Sequence, residues 1–507
     1  MIFKFMENLM RSIPRSLSVV LALLALSATR TVAQGAPAAK PPAPPAEPAA
    51  PPAAAPTPPA DAAMAPTPPP PAEAPPPAAA TAEPAAPKPA LTPAHTSGPA
   101  VEMAPATTTP STPGGTATDA QASDAEAPPA IDMLKGMRDQ RLTEADPTGI
   151  GGYGELHYGM ENIGGPGDAQ GQIDLHRLVV FLAHRFDERL RFYSEIEVEH
   201  AAAAPDAPGE VSIEQAYLDY LLLDEALGLR AGIVLVPMGI INQWHEPPVF
   251  HGVERPTVDT IIIPSTWREG GIGIFGEPIE GVRYELYLVG GLDPTGFSAE
   301  KGIRGGRQGV AEARADGLAV TGRLEVEPEL GFVGGISGYV GRSGPNADLF
   351  DLQGNEGKLD VPVAGLSWDV RGKGNGVEAR AVVSVFSIGD TDELRFAHDA
   401  SGESLGLDIA SLLWGAYAEI AFDVLSGVGT DHQLLPFVRL ERYDTMSEVS
   451  GRRRTPDDDQ YAATEVAFGL SYRPLPQVVF KADYISRDPD AASDGDGRFD
   501  LGAGFMF

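Results

Sequence analysis

The sequence predicts an all-β fold: a transmembrane antiparallel β-barrel of about sixteen strands, preceded by a disordered Pro/Ala-rich N-terminal extension. Three observations predict it. Residues 150 to 507 repeat short segments in which apolar and polar side chains alternate with period two, the links between them are by turns short and long, and the last segment is apolar at every second position. Composition excludes several other classes. The 507-residue chain has no cysteine, which removes disulfide scaffolds, thiol nucleophiles and Cys-ligated metals. It carries 37 Lys plus Arg against 70 Asp plus Glu, a formal charge of -33 that argues against nucleic acid as a partner.

Taken in order, residues 1–33 read as a signal peptide. Lys4, Arg11 and Arg15 precede the apolar run Leu17 to Ala28, and Thr31-Val32-Ala33 offers a cleavage point. That run is too short for a spanning helix, which needs about 20 apolar residues. Residues 34–130 hold more than half of the 49 prolines, mostly among alanines, and almost no large apolar side chain. Such a segment buries too little surface to offset its ordering entropy, and its prolines extend it at about 3.1 Å per residue, so a disordered periplasmic linker is expected. Residues 131–149 form a short lead-in segment, and 150–507 the barrel domain.

Within the barrel, strands are expected to start near Gly152, Ile173, Leu190, Val211, Leu227, Gly271, Val282, Leu318, Gly331, Val361, Val377, Leu412, Gln433, Ala462, Gln477 and Arg498. Short links centre on Asp187-Glu188, Asp224-Glu225, Glu277-Pro278, Pro328-Glu329, Gly372 to Gly376, Gly427 to Asp431 and Pro474 to Pro476. The long links fall between them. A soluble sandwich has no reason to sort its connections this way, whereas an outer-membrane barrel has short periplasmic turns and long extracellular loops. Phe499, Leu501, Ala503, Phe505 and Phe507 alternate with Asp500, Gly502 and Gly504, which resembles the C-terminal signature read by barrel-assembly machinery.

The longest link contains Val236-Pro237-Met238-Gly239-Ile240-Ile241-Asn242-Gln243-Trp244-His245-Glu246-Pro247-Pro248 and, further on, Ile263-Pro264-Ser265-Thr266-Trp267-Arg268-Glu269. With Ile173-Asp174-Leu175-His176-Arg177 before it and Pro436-Phe437-Val438-Arg439-Leu440-Glu441-Arg442-Tyr443-Asp444-Thr445 after it, the chain from about 140 to 507 resembles the phosphate-selective porin O and P superfamily of Gram-negative bacteria. The resemblance implies a sixteen-stranded, homotrimeric channel whose third extracellular loop, here 237–270, folds inward and narrows the pore. On that reading Trp244, His245, Glu246, Arg255, Trp267, Arg268 and Glu269 are expected at the constriction.

Phosphate selectivity is not expected, because an anion ladder needs clustered Arg and Lys and this chain is acidic. The lumen positions mix signs: Arg191, Arg283, Arg323, Arg439, Arg473 and Lys481 stand beside Glu195, Glu197, Glu285, Glu419 and Glu441. Facing rows of the two signs would set up a transverse field, and the acid excess favours cations modestly. Lys301, Arg304 and Arg307 could draw anions to the mouth.

Other constellations read as plain surface. His200 beside Glu195, Glu197 and Glu199 lies along one strand face, which does not surround an ion, so no metal is expected. Asp457 to Asp459 with Asp488, Asp490, Asp494 and Asp496 miss the calcium-loop spacing and read as solvated loop acids. No hydrolase, P-loop or dinucleotide arrangement is present, so no enzyme and no cofactor are expected. The expected function is passive diffusion of small hydrophilic solutes or ions through an outer membrane, with lipid and lipopolysaccharide around the barrel. The alternative is a structural protein whose Pro/Ala arm ties that membrane to peptidoglycan.

Overall fold

Alternation puts one face of every strand into an apolar surrounding and the other onto an enclosed interior, and the chain satisfies both by closing on itself. The computed structural model describes residues 147–507 except 162, 164–168, 204–206, 330, 344–360, 397–407 and 492–495. The expected signal peptide, linker and most of the lead-in segment lie outside the described residues. Sixteen antiparallel strands form one closed barrel. They are β1 (Thr148–Glu161), β2 (Gln170–Arg185), β3 (Leu190–Glu199), β4 (Val211–Leu221), β5 (Gly228–Leu235), β6 (Arg268–Ile279), β7 (Val282–Gly290) and β8 (Leu318–Glu329). The second half comprises β9 (Phe332–Ser343), β10 (Val361–Gly374), β11 (Val377–Ile388), β12 (Leu412–Phe422), β13 (Gln433–Glu448), β14 (Ala462–Leu475), β15 (Val478–Pro489) and β16 (Asp496–Met506). Each strand pairs with its sequence neighbours, and β1 pairs with β16 from Tyr153↔Met506 to Met160↔Phe499. Among the described residues every strand thus has a paired neighbour on both sides, which is what hydrocarbon demands.

The outward face is apolar and exposed. Leu178, Val180 and Leu182 on β2, Leu286 and Leu288 on β7, Phe468 and Leu470 on β14, and Leu501 and Phe505 on β16 all point away from the interior. Their register partners alternate with buried Glu195, Glu197, Arg323, Glu419, Arg439, Glu465, Lys481 and Asp483 on the inner face. This inverts a soluble core. Greasy side chains face out, and charges face in.

The tight turns sit later than sequence spacing places three of them. Strands β6, β8 and β14 run on through Pro278, Pro328 and Pro474, each beside a register shift. A bulge leaves one residue without a ladder bond, so a proline there costs no donor and does not end the strand. Between β10 and β11, Asn375 and Gly376 both take positive φ, 52° and 72°, the backbone of a hairpin turn that matches strand twist.

The long connections gather at the opposite rim, and we number them L1 to L8 in chain order. L3, residues 236–267, and L4, residues 291–317, are the longest, as the link lengths anticipated. L3 contains two short helical pieces, Pro247–Val249 and Val258–Ile262, both buried.

Candidate functional site: the lumen and its inward loop

L3 leaves β5 and returns to β6 through a neck tied by a backbone bond, Val236 N to Trp267 O at 2.8 Å, and by one side chain. Buried Asn242 donates from Nδ2 to the carbonyls of Val236 (2.6 Å) and Trp267 (3.2 Å), and its Oδ1 accepts from Trp267 N at 2.7 Å. Two chain segments of opposite direction are thereby held as a pair without being strands. Trp267 itself has no exposed surface and packs on Tyr339 with ring centroids 4.8 Å apart.

From this neck the loop crosses the interior to the far wall, where inward polar side chains take up its backbone groups. Lys481 Nζ donates to Gly252 O at 2.7 Å, Ser471 to His251 O at 2.7 Å, and Arg380 to Val249 O at 2.6 Å. Asp483 accepts from Val253 N at 2.5 Å and Glu441 from Val258 N at 3.1 Å. Tyr417 donates to Asp259 at 2.7 Å and Thr257 to Glu465 at 2.6 Å. Irregular backbone at this depth needs such partners, because lipid supplies none and water little. Glycine on the wall makes room for the loop. A Cβ at Gly504 would lie 2.3 Å from Pro247 Cβ, and one at Gly415 2.9 Å from an Ile262 side-chain carbon.

L4 folds over L3 from the rim. Arg304 donates to Thr260 O at 2.7 Å, Arg307 to Ser265 O, and Gln308 N to Glu269 at 3.3 Å. Arg304 and Arg307 are therefore engaged on L3 carbonyls and do not form a free anion lure; Lys301 stays exposed.

The sequence-predicted constriction set separates into two groups. Trp244 is half-buried and lines a cavity, and Arg268 keeps 16% of its side chain exposed 3.7 Å from Glu214. His245, Glu246, Trp267 and Glu269 are buried at 1% exposure or less. Arg255 is 7% exposed and donates to His245 O at 3.4 Å. Trp267 belongs to the packing at the neck, not to an aqueous narrowing: its ring is fully buried between Tyr339 and Phe386, its Nε1 donates to Glu269 at 3.3 Å, and it has no surface to offer a solute. His245 lies 3.2 Å from Glu214 and 3.6 Å from Glu195, so the loop is also fixed to β3 and β4.

The lumen charges are paired, some along one strand and others between adjacent or more distant strands of the wall. Arg323 bridges Asp369 (2.6 Å) and Glu325 (3.1 Å), Arg283 reaches Glu325 at 2.7 Å, and Arg439 reaches Glu441 at 2.6 Å and Glu419 at 3.3 Å. Arg473 meets Glu378 at 3.0 Å, and Arg177 lies 2.6 Å from Glu155 and 3.5 Å from Glu197. Glu285 accepts from Gln243 of L3 at 2.5 Å. Separate facing rows of Arg and carboxylate are thus not what the chain builds. Charges of opposite sign cancel locally in pairs, because each buried charge is costly unless paired. Arg191, Arg283 and Glu285 stay half-buried and line, with Asp219, Arg230, Glu277 and Trp244, a cavity of about 460 Å³.

Sequence reasoning missed Asn242; it placed Glu465 and Asp483 on the lumen face but not as residues that hold L3 from inside. Asn242 lay within the quoted L3 stretch, and Glu465 and Asp483 were inward by alternation, but nothing in their spacing says that they meet across the barrel. The loop acids are not all solvated: Asp458 is buried, pairs with Arg452 and accepts from Thr455 N, whereas Asp490 stays exposed beside Arg442. Likewise His200 does not stand on its strand alone, since His176 and Asp174 close on it from β2.

A closed β-barrel with an apolar exterior, a charged interior and a loop folded into the lumen defines a transmembrane barrel of porin-like build. No family model matches the chain. It is 36% identical over 360 residues, covering 68% of this chain and 77% of the relative, to an uncharacterized protein of Aquifex aeolicus (strain VF5), and it belongs to the same family as that protein. Among solved structures it is similar to the outer membrane channel DcaP of Acinetobacter baumannii (13% identity, TM-score 0.46, 72% of this chain and 99% of that one). It is also similar to OprB of Pseudomonas putida (8%, 0.46, 71% and 94%) and to Salmonella typhi OmpF (12%, 0.45, 71% and 97%).

Proposed function

We propose that this protein is an outer-membrane porin, a passive diffusion channel for small hydrophilic solutes or ions whose width is set by L3. The observation that carries this reading is the interior itself. A barrel serving only as a plug or post would gain by filling with apolar side chains, yet this one spends charged pairs on its inner wall and keeps a cavity of about 460 Å³ beside Trp244. Local pairing of the lumen charges favours weak ion preference over phosphate selectivity, so the likeness to the phosphate-selective superfamily extends to build and not to solute. On this reading Trp244, Arg255 and Arg268 border the pathway, the channel is a homotrimer, and the N-terminal extension lies in the periplasm. The apolar alternation of β16 up to Phe507 suits recognition by barrel-assembly machinery.

One observation favours a second reading, a closed barrel that serves as an anchor for its N-terminal arm. L3 is buried along most of its length and L4 covers it. Planar-bilayer recording of the purified chain separates the two. Stepwise conductance supports the channel, and silence of a correctly folded barrel favours the anchor.

A further inference from the structure

Three histidines converge on the lumen wall from three successive strands: His157 on β1, His176 on β2, and His200 just past the end of β3. A fault in the β1–β2 ladder makes the convergence. Pairing steps from Glu155↔Arg177 to Leu156↔Leu175, so His176 has no partner opposite it. This bulge turns Asp174, His176 and Arg177 all to the interior, where strict alternation would have sent His176 or Arg177 outward. His200 then enters a left-handed backbone, φ 53°, followed by Ala201 at φ 58°. Outside glycine this conformation is uncommon and costs conformational energy, and it aims the His200 ring back along the wall.

The result surrounds a point. His200 Nδ1 lies 2.7 Å from Asp174 Oδ2, and the same oxygen lies 3.4 Å from His176 Nδ1. Donor atoms of Asp174, His176 and His200 all fall within 4.8 Å of one another. The three side chains are 18%, 25% and 34% exposed, so the point is open to water. His157 stacks on the His176 ring, centroids 4.6 Å apart and planes 12° apart. Its own nitrogens lie 3.3 Å from Glu155 and 3.0 Å from Glu254, which fixes the stack.

We propose that Asp174, His176 and His200 form a binding site for a divalent first-row transition-metal ion of the zinc, nickel or copper(II) type, with water completing the coordination. Two imidazole nitrogens and one carboxylate oxygen are a borderline donor set, which suits these ions. Calcium and magnesium require oxygen donors in greater number, and the chain has no thiolate for softer ions. His157 acts as a positioning residue by ring stacking: its ring, held by Glu155 and Glu254, fixes the plane of the His176 imidazole. The site does not depend on whether the barrel conducts.

The test uses the full chain, purified in detergent without a histidine tag, with zinc chloride and then cobalt(II) chloride as probes. Equilibrium dialysis should give one zinc per chain, and cobalt(II) should show the visible bands of a low-coordinate nitrogen and oxygen site. Asp174→Asn, His176→Gln and His200→Asn should each weaken zinc binding at least tenfold, since even partners outside the coordination shell change affinity by 10- to 100-fold. Asn is chosen at 200 because it tolerates the left-handed backbone, so loss of binding with retained barrel mobility on gels separates ligation from folding. The His184→Gln and His432→Gln double variant removes exposed histidines elsewhere and should bind as the parent does. Zinc binding that survives in both His176→Gln and His200→Asn, absence of binding in the parent, or equal competition by calcium would overturn the assignment.

Discussion

Arg268 offers a direct measure of whether an aqueous pathway runs beside L3. Its guanidinium keeps 16% side-chain exposure and has one carboxylate partner at 3.7 Å, a contact too long to neutralise it fully. Consider Arg268→Gln in a bilayer with a salt gradient. An ion passing roughly 8 Å away in water feels about 0.5 kcal/mol from one unit charge, and screening at 0.1 M salt roughly halves that. Removing the charge lowers the cation's energy and raises the anion's by that amount, so their difference changes by about 0.5 kcal/mol. The cation-to-anion permeability ratio should therefore rise about twofold, a shift in reversal potential that is readily read. Arg255, at 7% exposure, should give a smaller change in the same direction. An unchanged reversal potential in Arg268→Gln, recorded in a channel of normal conductance, refutes the placement of this side chain at the pathway.

Four further outcomes follow from the same structure. Shortening L3 within residues 247–264 should raise single-channel conductance, because it removes the chain segment that crosses the interior. Trp267→Ala should destabilise the barrel by about 3–5 kcal/mol, the usual cost of deleting a fully buried large aromatic, measured by urea unfolding in detergent, whereas Trp244→Ala at the cavity should cost much less. Deleting residues 35–130 should leave membrane insertion and heat-modifiable mobility intact, since no described barrel pairing uses them. In L7, the Arg452 guanidinium that hydrogen-bonds Asp458 holds its carboxyl down to about 2, with Thr455 helping. Its folded-state value lies below the ordinary carboxylate value near 4, so this tie is fully present above about pH 4 and is lost as pH falls towards 2. Hydrogen exchange across 449–461 should accelerate over that window in the parent, and Asp458→Asn should exchange fast at neutral pH as well.

The barrel was legible because its physics is local. Two-residue alternation in Arg283 to Leu288 or Glu465 to Tyr472 depends only on which face meets lipid, and link lengths depend only on which rim the chain has reached. Turn positions were less legible at Pro278, Pro328 and Pro474, since proline usually ends a strand and only the bulges explain why it does not here. The interior was the least legible. Period two says that Glu441, Lys481 and Asp483 point inward, but not that they hold a loop whose sequence lies some two hundred residues earlier. The histidine cluster was hidden for the same reason. A bulge is one unpaired residue, and no pattern in Asp174 to Arg177 announces it.

The reach of L3 also sets an order in time. Its neck, β5 and β6, is made early in the chain, while the residues that receive its tip, Glu465, Ser471, Lys481 and Asp483, come 208 to 230 positions later. Until β13 to β16 exist and lie in register, the loop has no seat, and its apolar side chains, Ile240, Ile241, Phe250 and Ile261 to Ile263 among them, stay a hazard for mispairing. Docking of the loop therefore requires, and reports on, a correctly closed wall. A strand out of register by one residue would turn its inward acids and bases to the lipid side and leave the loop unseated. The inward loop thus doubles as a check that the cylinder around it closed in the right register.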